Sequence, residues 1–262
     1  MTPARTLSVL LLLATSLPFT GGDRGRSPRG SALQRQSPDI EYNGRFTFTR
    51  VRYGADSELG QYGRRRRGWG ASWNHDYPDG DLNMQLILNE VTSMAVNVGR
   101  SNVVDLDDPA IFNYPVLYIS EPGYWSVNDA EAANLRDFLH KGGFLILDDF
   151  EDTGGQWPNV QEQLTRVLPE ARILEVPATH PVFDSFFRLE EVDVPHPLVR
   201  VEPVYLGIFE DNDSTERLMV MLNLNNDLAE YWEYAGTDYF PMDLTNDAWR
   251  LGVNYIVYGL TH

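Results

Sequence analysis

The apolar positions of the chain follow two periods. Phe46 to Tyr53, FTFTRVRY, alternates with a period of two and is rich in β-formers, which predicts a strand. Pro115 to Ser120 (PVLYIS) and Phe144 to Leu147 (FLIL) are unbroken apolar runs, short enough for strands buried on both faces. Between these two runs the period becomes helical: Ala132, Leu135, Phe138 and Leu139 share one face of Ser126 to His140. Ser126 with Asp129 forms a capping-box pattern before that helix, and Gly142 is placed to stop it. Helix, glycine stop and buried strand in succession is the repeating unit of a parallel α/β sheet.

Further elements follow from the same signals. A helix capped by Asp79 or Asp81 is predicted through about Val91, then a short strand at Asn102 to Leu106. Trp157 to Leu168 predicts a helix stopped at Pro169, and Arg172 to Val176 a short strand. Thr179 to Phe187 is apolar but irregular. Tyr205 to Phe209 and Arg217 to Leu222, joined by the polar turn EDNDST, predict a hairpin at the sheet edge. Asn223 to Asp243 is loop-rich and aromatic. Asp247 is placed to cap a last helix, Ala248 to Leu260, which is apolar nearly all round and should pack deep against the sheet.

The N-terminus has a different pattern. Arg5, the apolar run Leu7 to Ala14 and the small or polar residues up to Gly22 follow the order of a secretory signal peptide. That run is too short to span a bilayer, and no later stretch reaches transmembrane length, so no integral membrane span is expected in the mature chain. Residues 23–43, rich in Gly, Ser, Pro and Arg, predict a flexible linker, and residues 44–262 a single α/β domain. The expected location is therefore outside the cytoplasm, periplasmic or extracellular. A net charge of −17 over 262 residues disfavours nucleic acid and anionic membranes as partners. The chain has no cysteine, which excludes disulfides, thiolate metal sites and a cysteine nucleophile.

Taken together, DYPDGDLN (Asp76 to Asn83), Glu121-Pro122-Gly123, KGGFLILDDF (Lys141 to Phe150), THPVF (Thr179 to Phe183) and the C-terminal GVNYIVYGLTH resemble the family of domains of unknown function numbered 4159. The resemblance runs from Phe46 to His262. It implies a fold similar to class I glutamine amidotransferases, a flavodoxin-like three-layer α/β sandwich with a mostly parallel central sheet and, here, an edge hairpin. It implies no activity. Amidotransferases of that fold use a cysteine on a strand-to-helix turn, and no serine elbow of the G-x-S-x-G kind replaces it. No P-loop, dinucleotide fingerprint or H-E-x-x-H is present either, so no cofactor is required.

Candidate chemistry gathers after the buried runs, because open α/β sheets bind ligands beyond the carboxyl ends of their strands. Asp148 and Asp149, with Glu151 or Asp152, can hold a divalent cation or act as an acid/base pair. The alternative is that they cap backbone amides and face water. Asp76 and Asp79 flank a Tyr-Pro turn and can face the same cleft as Glu121, with His180 at its rim; helix capping and a loop hydrogen bond are the competing roles. Arg64, Arg65, Arg66 and Arg67, with Trp69 and Trp73, can grip an anionic glycan or peptide, or simply balance an acidic surface. The expectation is a non-catalytic ligand-binding or scaffolding domain for an envelope glycan, peptide or protein. The alternative is a cation-assisted or carboxylate-based hydrolase.

Overall fold

The computed structural model describes residues 40–54, 72–189 and 192–262. The chain divides into two units, Met1–Gln34 and Arg35–His262, and the described residues all belong to the second. The signal-peptide segment, most of the linker, Arg64 to Arg67 and Trp69 lie outside the described residues.

Seven strands form one sheet: β1 (Thr49–Arg52), β2 (Asn102–Asp105), β3 (Val116–Ser120), β4 (Phe144–Phe150), β5 (Leu174–Glu175), β6 (Val204–Phe209) and β7 (Leu218–Leu224). Their order is β2-β1-β3-β4-β7-β6-β5. The first five in that order are parallel to their neighbours, while β6 runs antiparallel to both β7 and β5. The parallel part has the flavodoxin-like order, with strands added on both sides of the β1/β3 pair. The hairpin β6–β7 is present, but the short β5 pairs outside it, so the hairpin lies one strand in from the edge.

Helices cover both faces and make a three-layer sandwich. On one side lie α1 (Asp79–Val91), α4 (Leu228–Glu233) and α5 (Met242–Thr261); on the other lie α2 (Asp129–His140) and α3 (Gln156–Val167). Alternate residues of each strand feed the two cores. Phe144 and Ile146 join Met84, Leu88, Trp232 and Tyr255 on the first side. Leu145 and Leu147 join Leu135, Leu139, Val160 and Leu164 on the second. All four residues of the Phe144–Leu147 run are 0 or 1% exposed, as a strand covered on both faces requires.

Local signals explain most boundaries. The cap of α2 is Asn128 with Glu131, not Ser126 with Asp129: the Asn128 side chain accepts from the amides of Ala130 and Glu131, and Glu131 accepts from the Asn128 amide. Gly142, at φ 101°, ends that helix while the Gly143 amide donates back to the Phe138 carbonyl, a Schellman closure. Neither Asp79 nor Asp81 caps α1; Pro78 precedes it without a side-chain cap. Asp81 is drawn inward instead by a buried arginine. The last helix starts at Met242 rather than at Ala248, and the segment expected to be loop contains α4.

Candidate functional site

In the strand order the direction of travel reverses between β1 and β3, so their carboxyl ends bound the crevice where sheets of this order hold ligands. Tyr53, just past β1, ties the two ends together. Its hydroxyl donates to the carbonyls of Ser120 at 2.9 Å and Glu121 at 2.7 Å. Glu121 is buried, at φ 47°, and its amide donates to the Asp148 carbonyl.

Arg50 builds the next wall. It lies on the inner face of β1, in line with Phe46 and Phe48, and its side chain is wholly buried. Its Nε and Nη2 donate to the Asp81 carboxylate, the shortest contact being 2.6 Å. The guanidinium stacks over the Tyr118 ring with 4.9 Å to the centroid. Its remaining nitrogen, Nη1, donates to the carbonyls of Trp73 at 3.1 Å and His75 at 2.8 Å. This grip fixes the turn that carries His75 and Asp76 over the crevice.

The end of β4 supplies the floor. Asp148 continues the alternation and enters the first core, where its carboxylate is fully satisfied. Its Oδ1 accepts from Asn223; its Oδ2 accepts from the Tyr118 hydroxyl and from the amides of Leu228 and Ala229, at 2.9 to 3.1 Å. Asp148 thus anchors the start of α4. Burial pushes its pKa up to about 6 against the pull of these donors, Asn223 first. Asp149 is an extra residue: the β4–β7 register shifts between Leu147 and Phe150, and Asp149 sits at φ 63°. The bulge turns Asp149 out of the strand and toward the His75 turn. From α4, Asp227 caps the helix by accepting from the Glu230 amide at 3.1 Å, and Glu230 follows on the first turn.

Five side chains converge there. His75 Nδ1 lies 3.1 Å from Asp76 Oδ1 and 3.0 Å from Asp149 Oδ2. Both are ion-pair contacts without hydrogen-bond geometry. Both oxygens of Asp76 and Oδ2 of Asp149 are buried without a hydrogen-bond partner among the described residues. The donor atoms of His75, Asp76 and Glu230 lie within 4.8 Å of one another, as do those of His75, Asp149 and Asp227. Burial alone would lower the pKa of His75, but Asp149 and Asp76 outweigh it and hold the imidazole raised. Burial pushes Asp149 to about 7, with His75 opposing and Glu121 adding to the rise. Burial and then Asp76 push Glu230 to about 7. Asp227 is raised by burial and by Asp149, Asp76 and Asp148. With one imidazolium among four carboxyl groups, burial and mutual repulsion favour protonation of the acids, and a bound cation would take the place of those protons.

The profile of one family, described as domain of unknown function (DUF4159), matches residues 47–260. The chain belongs to that family. No curated protein matches the chain. The DUF4159 match spans every strand above and every helix but the last residue of α5, so the cluster is built within the family's own domain.

Within this DUF4159 domain the structure brings together three of the acids named from sequence, Asp76, Asp149 and Glu121, and separates the rest. Asp148 is one residue away but faces the core. Asp79 is exposed on the first turn of α1. Trp73 is half-buried, tilted against Tyr77 at 5.9 Å, and borders the turn. His180 is not at the rim. It packs against Phe209 and Tyr258, and Phe209 pairs with Leu218 at the amino end of β7, so His180 lies at the opposite edge of the sheet. Its Nδ1 accepts from the Val182 amide at 3.1 Å, a loop role. Sequence reasoning did not assemble His75, Asp227 and Glu230 into the site, and it missed Arg50 altogether. For Arg50 a signal existed: it shares the apolar side of FTFTRVRY with Phe46 and Phe48. A separate groove of about 220 Å³ beside α3, lined by Gln161, Leu164, Ile173 and Ile208 among others, holds no ionisable side chain and lies apart from the cluster.

Proposed function

We propose that this protein is an exported ligand-binding domain whose site is the carboxylate cluster at the β1/β3 edge. The observation that carries this reading is Asp76. Its side chain is 0% exposed, and neither carboxylate oxygen has a hydrogen-bond partner among the described residues. His75 is its ion-pair partner but is shared with Asp149, so negative charge stays buried in excess, at a cost of roughly several kcal/mol. Buried polar groups without a hydrogen-bond partner are rare in folded proteins, and crowded buried acids cluster at functional sites. The cysteine-dependent chemistry of amidotransferases is ruled out because the chain has no cysteine. In this proposal the likeness to class I glutamine amidotransferases is one of scaffold, and function resides in the new site. Export rests on Arg5 and the run Leu7 to Ala14, and it puts envelope glycans, peptides and proteins within reach.

The test is a thermal-shift screen of the full chain against cations, cell-wall glycans and envelope peptides. A ligand of the native state raises the melting temperature. The expected hit loses its effect in Asp76→Asn. A screen whose hits act equally on Asp76→Asn would move the function elsewhere.

One observation favours a second reading, a carboxylate-based hydrolase. Asp149 is 15% exposed at the side chain, lies against His75 and has a pKa of about 7, suited to proton transfer near neutrality. Cleavage of a glycan or peptide by the parent and not by Asp149→Asn would establish it.

A further inference from the structure

The site's donors are specific enough to name what completes it. They are one imidazole nitrogen and four carboxyl groups, drawn from the His75 turn, the β4 bulge and the start of α4. Three separate segments therefore converge on His75. The two trios share His75, and within each the donor atoms lie within 4.8 Å of one another. Ligands about 2.1 Å from an ion can be at most about 4.2 Å apart, so each trio needs only a small contraction to close on one.

An acidic cluster alone would not carry this. The second observation is Asp76, 6% exposed overall, with both carboxylate oxygens buried, without a hydrogen-bond partner among the described residues and placed beside His75. Asp149 Oδ2 faces the same nitrogen and likewise has no hydrogen-bond partner among the described residues. Asp148, the adjacent acid, shows the contrast: four donors satisfy it, and it has no need of an ion. A hydrogen-bonding organic ligand would require donors spread over a wider surface. A small ion answers several oxygens and one nitrogen at once.

We propose that His75, Asp76 and Glu230 bind a single divalent transition-metal cation, with Asp149 and Asp227 crowding the same histidine. This rests on the reading of the β1/β3 edge as the ligand site and adds the identity of what binds first. The imidazole sets the class. Calcium and magnesium take oxygen ligands, whereas zinc, iron and manganese accept a mixed nitrogen and carboxylate set. The shared His75 argues for one ion, because a single ring nitrogen has one lone pair to give.

The full chain is stripped with EDTA, dialysed and titrated calorimetrically with manganese(II) and zinc(II), and in parallel with calcium and magnesium. The expected result is one equivalent of manganese or zinc bound, with calcium and magnesium weaker by about tenfold or more. Asp76→Asn and His75→Gln should each weaken binding by about 100-fold. Circular dichroism confirms that each variant is folded; if one is not, Glu230→Gln decides in its place. The absence of stoichiometric binding, or equal affinity in parent and variants, would overturn the inference. If no metal binds but an organic ligand still raises the melting temperature and Asp76→Asn abolishes that rise, the metal assignment falls and the ligand site stands. If neither binds, both fall.

Discussion

Arg50 Nη1 donates to the His75 carbonyl at 2.8 Å, so a residue in the middle of a buried strand sets the position of the residue at the centre of the acidic cluster. Arg50→Met should therefore damage both fold and site. It strands the buried Asp81 carboxylate, which costs about 3–5 kcal/mol. Arg50→Met with Asp81→Leu removes that unpaired charge and should recover most of the loss in a urea titration. The turn still lacks its donor in the double variant, so ligand binding should stay impaired. Recovery of both together would show that Arg50 has no positioning role.

Asp148 and Asp149 should behave differently although they are neighbours. Asp148→Ala leaves the Tyr118 hydroxyl, the Asn223 amide and two α4 amides without an acceptor, a loss on the order of 3 kcal/mol. Asp148→Asn keeps an acceptor for the Tyr118 and α4 donors, and Asn223 can flip to accept from it, so the cost should be about 1 kcal/mol. Asp149→Asn should leave stability nearly unchanged and weaken ligand binding. Chemical denaturation and the binding titration, run on all three, check the division.

Leu147 is wholly buried in β4, between β3 and β7. Leu147→Ala should cost about 2–5 kcal/mol, the transfer loss plus the cavity left behind. A cost near zero in thermal unfolding would mean that the central strand is not close-packed.

His180 should make the fold acid-sensitive. Burial, and then the charge of His262, lower its pKa to about 4. In the unfolded chain it titrates near 6.5, at about the value for free histidine. The native state therefore binds fewer protons between these values. The stability His180 contributes is fully present above about pH 6.5 and is lost as the pH falls through about 4. His180→Asn keeps an acceptor for the Val182 amide but does not titrate. Urea unfolding at pH 7.5, 5.5 and 4.5 should give a shallower loss in His180→Asn than in the parent. Equal slopes would remove His180 from the acid response.

These contrasts show what was legible along the chain. The run Phe144 to Leu147 could be read because a strand apolar at every position has only one setting, the middle of a covered sheet. The carboxyl edge followed from the parallel arrangement, so Asp76, Glu121 and Asp149 could be placed on it. Asp148 follows the alternation into the core, but the outward turn of Asp149 could not be read, because it is made by a bulge. Helix α4 has six residues, too few for a period to show, and its start is held by Asp148 from a distant strand. His75 and His180 each adjoin an acid or a proline in sequence. Only the chain path separates them, through the antiparallel return of β6 that carries Phe209 to the amino edge.

The most direct test of the central claim is thermal unfolding of Asp76→Asn beside the parent, with EDTA in both samples. If the cluster is a ligand site, removing one of its crowded charges relieves the native state. A gain of about 1 kcal/mol would raise the melting temperature by roughly 2–4 °C for a domain of this size. Adding manganese or zinc should then stabilise the parent and not the variant. A variant that melts below the parent, and still responds to metal as the parent does, would show that Asp76 serves the fold and that the site lies elsewhere.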